Sequence, residues 1–518
     1  MTKKQLTLAL ALAGLVTHVP ALASERAQLE ALRATTQAIL DALVDKGILT
    51  KEAAQAMVQQ AEAKGAEQAA AVAKAEAGVV RVPYIPEVVK REIRDQIRQE
   101  VVAQAKTERW GDVNAVPEWV DRLKWEGDLR LRQQADHFAS GNATPANLQN
   151  VGIVVNNSSE DRHRTRVRAR LGLTAAITSQ VSGGLRISTG NTRDPVSTNQ
   201  TLGTTANKYE LVLDRAFLRY EPWEWLLLTG GRIPNPFLST DLVWDDDLNF
   251  EGLIARFAPW DREPERTLKP YAVLGIFPLQ EVETSPTNLA KDKWLYGAQL
   301  GLNWDRSLNS RWRFGLAYYD YRNMTGVADT VTDSAYNNPY AATAPQSRQK
   351  GNSVFNINNA GETTTQLWAL AGKYRLLNLT ARADLAHFDP YHLILDADVV
   401  KNIGYDKSGT AARMGQPGYK ARTLGWHGRV AYGWPSMNAA DNWQVYLGYR
   451  YLERDAVLDA FTDSDFRLGG TDAKGYYLGA SYALDRNVWL AAKWMSADAI
   501  DGLPYSVDVL QVDFNARF

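Results

Sequence analysis

From residue 122 to the C-terminus, hydrophobic and polar positions alternate with a period of two. In the first run Leu123, Trp125, Leu129 and Leu131 fall on one side, and Lys124, Glu126, Asp128, Arg130 and Arg132 on the other. Side chains of a strand point alternately to opposite faces, so the pattern predicts a strand between two different environments. The next run is sharper: Arg164, Arg166, Arg168 and Arg170 alternate with Thr165, Val167, Ala169 and Leu171. A helix would spread these arginines around its axis, whereas a strand gathers all of them on one face. Alternation returns over 292–305, where Trp294, Tyr296, Ala298, Leu300, Leu302 and Trp304 oppose Gly297, Gln299, Gly301 and Asn303, and again over 441–455. Further candidate strands lie at 179–190, 208–222, 224–233, 248–258, 267–278, 310–322, 390–402, 420–434, 472–484, 486–497 and 505–518. Some stretches, such as 225–231, lack clean alternation and are strands by context alone.

Three features place these strands in a membrane. The connections alternate: short ones fall near 178–180, 221–224, 306–310, 435–441 and 484–487, and long polar ones near 137–162, 191–207, 234–247, 323–363, 403–419 and 456–471. Outer-membrane barrels have that asymmetry, with short periplasmic turns and long external loops. Trp125, Trp223, Trp225, Trp260, Trp304, Trp312, Trp434, Trp443 and Trp489 sit beside short turns or at the first strand's start, nine of the sixteen tryptophans. An aromatic girdle at one membrane interface requires such clustering. The chain ends Leu510, Val512, Phe514, Ala516, Phe518 in alternation with Gln511, Asp513, Asn515 and Arg517. A last strand closing on Phe resembles the C-terminal signal read by the outer-membrane insertion machinery, with Phe514 and Phe518 as its aromatic positions.

The fold predicted is an all-β transmembrane barrel, because only closure satisfies every backbone group of strands in lipid. Residues 122–518 number 397, which at about 25 per strand and loop share gives roughly sixteen strands. The raw segments number seventeen, with 364–376 and 377–389 taken apart. Both barrel ends belong on the periplasmic side, so the number is even; merging 364–389 into one interrupted strand gives sixteen, and eighteen is the alternative. A barrel of that size encloses a water-filled lumen.

Upstream the period changes. Leu29, Leu32, Thr36, Ile39 and Leu43 step by three and four, an a/d heptad seam. Gly47 breaks it, Thr50 is placed to cap a second helix to about residue 77, and Pro83 and Pro86 mark a hinge. A third helix over 87–108 carries Val89, Ile93, Ile97 and Val101 at spacing four. The segment 24–121 is thus expected to be helical and periplasmic, either a linker or an oligomerising coiled coil helped by the rest of the chain. Before it, Lys3 and Lys4, an apolar run over 6–16, and Ala21-Leu22-Ala23 form a signal peptide over 1–23, with cleavage between Ala23 and Ser24. Its removal takes the formal charge from −1 to −3.

Composition narrows the alternatives. With 58 Lys+Arg against 59 Asp+Glu, the chain has no electrostatic footprint for nucleic acid. Mean hydropathy is −0.34, and no 18-residue apolar run follows the N-terminus, which excludes a polytopic helical membrane protein. Without cysteine there are no disulfides, thiolate metal sites or thiol nucleophiles. The six histidines, His18, His137, His163, His387, His392 and His427, are scattered, and neither an H-E-x-x-H nor a G-x-S-x-G motif occurs. No enzyme, cofactor or metal site is indicated.

The chemistry sits in two segments. Arg164, Arg166, Arg168 and Arg170, joined by Arg130 and Arg132 on the preceding strand, are assigned to the lumen. A charge on the lipid face would cost about 2–4 kcal/mol at mid-membrane. Opposite in sign is the stretch Gly230-Gly231-Arg232-Ile233-Pro234-Asn235-Pro236-Phe237, leading to Asp241 and Asp245-Asp246-Asp247. Its glycines and prolines take it out of sheet geometry. Folded inward it would narrow the lumen and face the arginines across a constriction. The alternative is an external loop, solvated or holding a divalent cation such as Ca²⁺.

The sequence resembles the Gram-negative family called putative porins over 82–518. The stretches that carry it are Val82-Pro83-Tyr84-Ile85-Pro86-Glu87, the run W-V-D-R-L-K-W-E-G-D-L-R-L-R over 119–132, and G-R-I-P-N-P-F-L-S-T-D-L-V-W-D-D-D-L-N-F-E-G over 231–252. The resemblance implies an outer-membrane barrel with a helical periplasmic extension, and it supplies no catalytic residues and no substrate. The expected function is a passive diffusion channel for small hydrophilic solutes with a preference for anions, working as a homotrimer by analogy with porins. The alternative role is a tether between the outer membrane and the cell wall through residues 24–109, with the barrel as its anchor.

Overall fold

The computed structural model describes residues 120–329, 338–358 and 366–518. The expectations for the signal peptide, the Ala23–Ser24 cleavage, and the helices and cell-wall contact of 24–109 lie outside the described residues.

After a 3₁₀ turn at Val120–Arg122, sixteen strands follow. They are β1 (Leu123–Phe138), β2 (Arg162–Ala176), β3 (Val181–Ser188), β4 (Val212–Trp223), β5 (Leu226–Pro234), β6 (Asn249–Phe257), β7 (Leu268–Gln280) and β8 (Lys293–Ser307). Then come β9 (Ser310–Arg322), β10 (Arg375–Phe388), β11 (Tyr391–Asn402), β12 (Leu424–Gly433), β13 (Trp443–Leu452), β14 (Ala473–Asp485), β15 (Val488–Ala499) and β16 (Val507–Arg517). Each pairs antiparallel with the next, and β16 pairs with β1, with Phe514 opposite Leu131. Two reciprocal 3.0 Å backbone bonds between Gly127 and Phe518 complete the seam. The sheet therefore has no edge, and every strand finds its partners inside the barrel wall.

The number sixteen holds, but the interrupted strand over 364–389 is corrected. Only Arg375–Phe388 belongs to the wall. Trp368–Leu370 pairs instead with Val354–Asn356 in a two-stranded ribbon within the β9–β10 loop. Leu370, Ala371 and Tyr374 are buried there, so apolar burial in the loop draws this stretch away from the sheet.

Alternation maps onto the two faces of the wall. Leu129, Leu131 and Leu300 are 53%, 49% and 67% exposed, while Arg132, in the opposite phase, is 4% exposed. A belt of outward leucines and valines on this scale would be an aggregation surface in water and is an ordinary surface in lipid. Tryptophans border it at the short-turn end, where Trp223 and Trp225 stack with centroids 5.1 Å apart and Trp304 lies beside Trp312. At the long-loop end Trp426 stacks on Tyr449 and Tyr451.

The inner face is less uniform than simple alternation predicts. Phe277 of β7, Leu295 of β8 and Tyr319 of β9 point inward and are fully buried, together with Leu376 of β10 and Val400 of β11. They form an apolar core with Leu242, Val243 and Trp244 from the β5–β6 loop and with Val457 and Leu458 from the β13–β14 loop. One side of the lumen is thus filled by loops. The polar space is left against the opposite wall, which includes β1, β2, β15 and β16.

Candidate functional site: the inward loop and the arginine wall

The β5–β6 loop is turned inward by its own sequence. Gly231 (φ 117°) and Gly252 (φ 143°) face each other across the two strands. A Cβ on Gly231 would lie 2.3 Å from the Ala216 carbonyl oxygen, and one on Gly252 would lie 2.1 Å from that of Ile276. Only glycine permits this backbone and this approach of neighbouring strands. Pro234 then ends β5, and Asn235 Oδ1 accepts from the Phe237 amide at 3.0 Å to make the turn. Trp244, 1% exposed, anchors the loop edge-on to Phe250 and Tyr319, with centroids 4.9 and 5.0 Å away.

Polar contacts tie the same loop to four parts of the wall. The Leu238 amide donates to Gln299 Oε1 on β8 at 2.8 Å, and Thr240 Oγ1 donates to Asp398 on β11 at 2.7 Å. Asp241 lies 3.6 Å from Arg450 on β13. Asp247 accepts from Arg170 Nη1 on β2 at 2.9 Å and lies 3.6 Å from Arg168. These strands come from well-separated parts of the circumference, so the loop crosses the interior. A solvated external loop is ruled out by these contacts.

Of the six sequence-predicted arginines, Arg130, Arg132 and Arg168 line the space facing the loop, Arg164 and Arg166 line a separate one, and together they are not a bare positive wall. Arg168 and Arg170 share Asp128, at 2.9 and 2.6 Å. Arg132 donates from Nε to Asp513 of β16 at 2.7 Å and reaches Asp465 of the β13–β14 loop at 3.0 Å. Arg164 lies 3.3 Å from Asp136. Arg130 donates to Asn199 at 2.5 Å, and Arg166 to Ser197 Oγ at 3.4 Å. Between arginines and loop lies a space of about 250 Å³, lined by Arg130, Arg132 and Arg168 on one side and Asp241, Asp245, Asp246 and Asp247 on the other. Asp463, Asp465, Lys493 and Asp513 complete its charged lining.

The four loop carboxyls differ in proton affinity. Burial works against ionised Asp247, but Arg168 and Arg170 hold it below the usual carboxylate range. Asp241, only partly covered, is held down by Arg450 and Lys493. Burial and the neighbouring Asp463 and Asp247 push Asp245 well up. Asp246, beside Asp241 and partly desolvated, is pushed up to about 7.

The sequence reading missed Asp128, Asp136, Asp463, Asp465, Asp513 and Lys493 among the charged partners. Asp128 and Asp513 stood on the correct faces of their alternating strands and could have been read from that phase. Asp463 and Asp465 lie in an irregular loop with no periodic signal, and Asn199 and Ser197 likewise. Phe514 and Phe518 point outward, 45% and 70% exposed.

A family model described as "Putative porin" matches residues 33–518. No curated protein matches. Among solved structures, the chain is similar to Pseudomonas putida OprB at 12% identity, covering 77% of this chain and 96% of that one, with a TM-score of 0.44. It is similar to an anion-selective porin from Comamonas acidovorans at 10% identity, covering 76% and 99%, TM-score 0.41. It is also similar to the outer membrane channel DcaP of Acinetobacter baumannii at 12% identity, covering 76% and 97%, TM-score 0.39. The family match over most of the chain and the closed sixteen-strand barrel make this an outer-membrane channel fold. The chain belongs to the putative porin family.

Proposed function

We propose that the protein is a passive diffusion channel for small hydrophilic solutes, narrowed where the β5–β6 loop meets the arginines of β1 and β2. The observation that carries this reading is the contact of Asp247 with Arg168 and Arg170, which sets loop and wall on two sides of one polar space. Fixed charges of both signs there weigh a solute by size and charge, with no covalent step. Arg130, Arg132, Arg168, Asp241, Asp245, Asp246 and Asp247 are the proposed lining, with Arg170 held beside it by Asp128 and Asp247 and with Arg164 and Arg166 in the space before it. The space holds four cationic side chains against seven carboxyl groups, so an anion preference would be set before it, at the long-loop end where Arg164 and Arg166 stand. Assembly as a homotrimer, insertion guided by Phe514 and Phe518, and a periplasmic N-terminal segment belong to the same proposal.

Liposome swelling tests it. Vesicles carrying the refolded protein should swell in isosmotic sugars at rates that fall as the sugar grows. Vesicles that stay as tight as protein-free ones would contradict the reading.

A further inference from the structure

A second space adjoins the first at the long-loop end, with a volume of about 490 Å³. Its charged lining is lopsided. Arg162, Arg164 and Arg166 enter from the start of β2, Arg193 from the β3–β4 loop and Arg348 from the β9–β10 loop, against Asp136, Asp194 and Asp465. Two of those acids are already engaged, Asp136 with Arg164 and Asp465 with Arg132 outside this space, and Arg348 in turn is paired with Asp459. Among the described residues, Arg162, Arg166 and Arg193 have no ion pair. The Nε atoms of Arg164, Arg166 and Arg348 are buried without a hydrogen-bond partner. Those Nε atoms are closed off from the space, but the cluster of guanidinium groups around it is the chemistry that an oxyanion suits. Lys350 does not compete for it, since its Nζ donates to the Leu468 carbonyl oxygen. The remaining wall is mixed: Phe138, Val155, Leu468 and Tyr505 stand among Asn156, Asn157, Ser197, Ser347, Gln349 and Ser464.

We propose that this space binds a small organic anion, its oxyanion group held by Arg164, Arg166 and Arg193 and its apolar body against Phe138, Val155, Leu468 and Tyr505. A carboxylate and a phosphate ester share this chemistry. The role as an entrance site rests on the channel reading, but binding itself does not need conduction. Such a site would concentrate organic anions ahead of the narrow space and place any anion preference there.

Calorimetry on the folded, full-length protein in detergent tests the proposal, with benzoate, inorganic phosphate and benzyl alcohol as probes. Benzoate should bind saturably and more tightly than phosphate, and benzyl alcohol should not bind. Arg166→Gln should weaken benzoate by about tenfold, the loss of one charge-assisted contact. Arg193→Gln alters only an exposed loop residue, so it keeps the test open if the strand variant fails to fold, and it should weaken benzoate several-fold. No saturable benzoate binding, or binding unchanged in Arg193→Gln, would overturn the site. Phosphate binding as tightly as benzoate would overturn its apolar half. Conductance measured in parallel separates the two proposals: a barrel that conducts without binding benzoate refutes the site, and one that binds without conducting refutes the channel.

Discussion

Arg170 of β2 donates from Nη1 to Asp247 Oδ1 at 2.9 Å, joining a wall strand to a loop 77 residues further along the chain. The same guanidinium reaches Asp128 at 2.6 Å through Nε, so one arginine bridges the wall and the loop that crosses the lumen. Removing one partner of a fully desolvated pair costs about 3–5 kcal/mol, and less here because Asp128 still pairs with both arginines. Asp247→Asn should therefore loosen the loop and leave Arg168 and Arg170 sharing one carboxylate. Under a salt gradient the reversal potential should move toward anion selectivity, and Arg170→Ala should move it toward cations. Equal shifts in one direction would show that the pair does not face the conducting path.

Trp244 holds the loop from its other side. Its replacement by Ala removes the ring packed on Phe250 and Tyr319 and costs about 3–5 kcal/mol of local packing. The expected result is a larger unit conductance with more open-channel noise and faster uptake of larger sugars. A channel of unchanged size limit would mean that the loop is not what narrows it.

Asp246 is expected to give the channel a pH dependence. With its pKa pushed up to about 7, it is protonated in acid and gains charge as pH rises through neutrality. Selectivity should shift toward cations between about pH 5.5 and about pH 8.5, and most of that shift should vanish in Asp246→Asn. The sign for stability follows from the same raised pKa. The folded loop binds the proton more tightly than the unfolded chain, so the loop is best held at low pH and loses that contribution as pH rises through about 7. A selectivity shift that survives intact in Asp246→Asn would assign it to another group.

Phe518 closes the barrel through its backbone and presents its ring outward over Gly127. Deleting Phe518 removes both reciprocal bonds and the terminal aromatic. The fraction of heat-modifiable, folded protein recovered from membranes should fall sharply, whereas Phe518→Tyr should retain it. Equal recovery from the deletion and the wild type would remove this residue from assembly.

Much of this architecture was legible in the sequence because the wall obeys one rule. Residues such as Leu129 and Arg130 face lipid and lumen in turn, and the period of two exposes that difference. Gly231, Pro234 and Pro236 marked where the sheet breaks and the acidic run begins, but left open whether the loop turns inward or outward. What the pattern could not show was where the loops go afterwards. Val354–Asn356 pairs with Trp368–Leu370, and Asp465 reaches Arg132, through contacts fixed by tertiary packing that leave no periodic trace. For the same reason Phe277 and Tyr319 read as strand residues and not as the seat of a loop.

The measurement that tests the account most directly is the single-channel conductance of the purified, folded protein in planar bilayers. The account predicts stepwise increases in current as channels insert, each ohmic at low voltage. A correctly folded barrel, heat-modifiable on gels and inserted in the bilayer, that passes no current would contradict it.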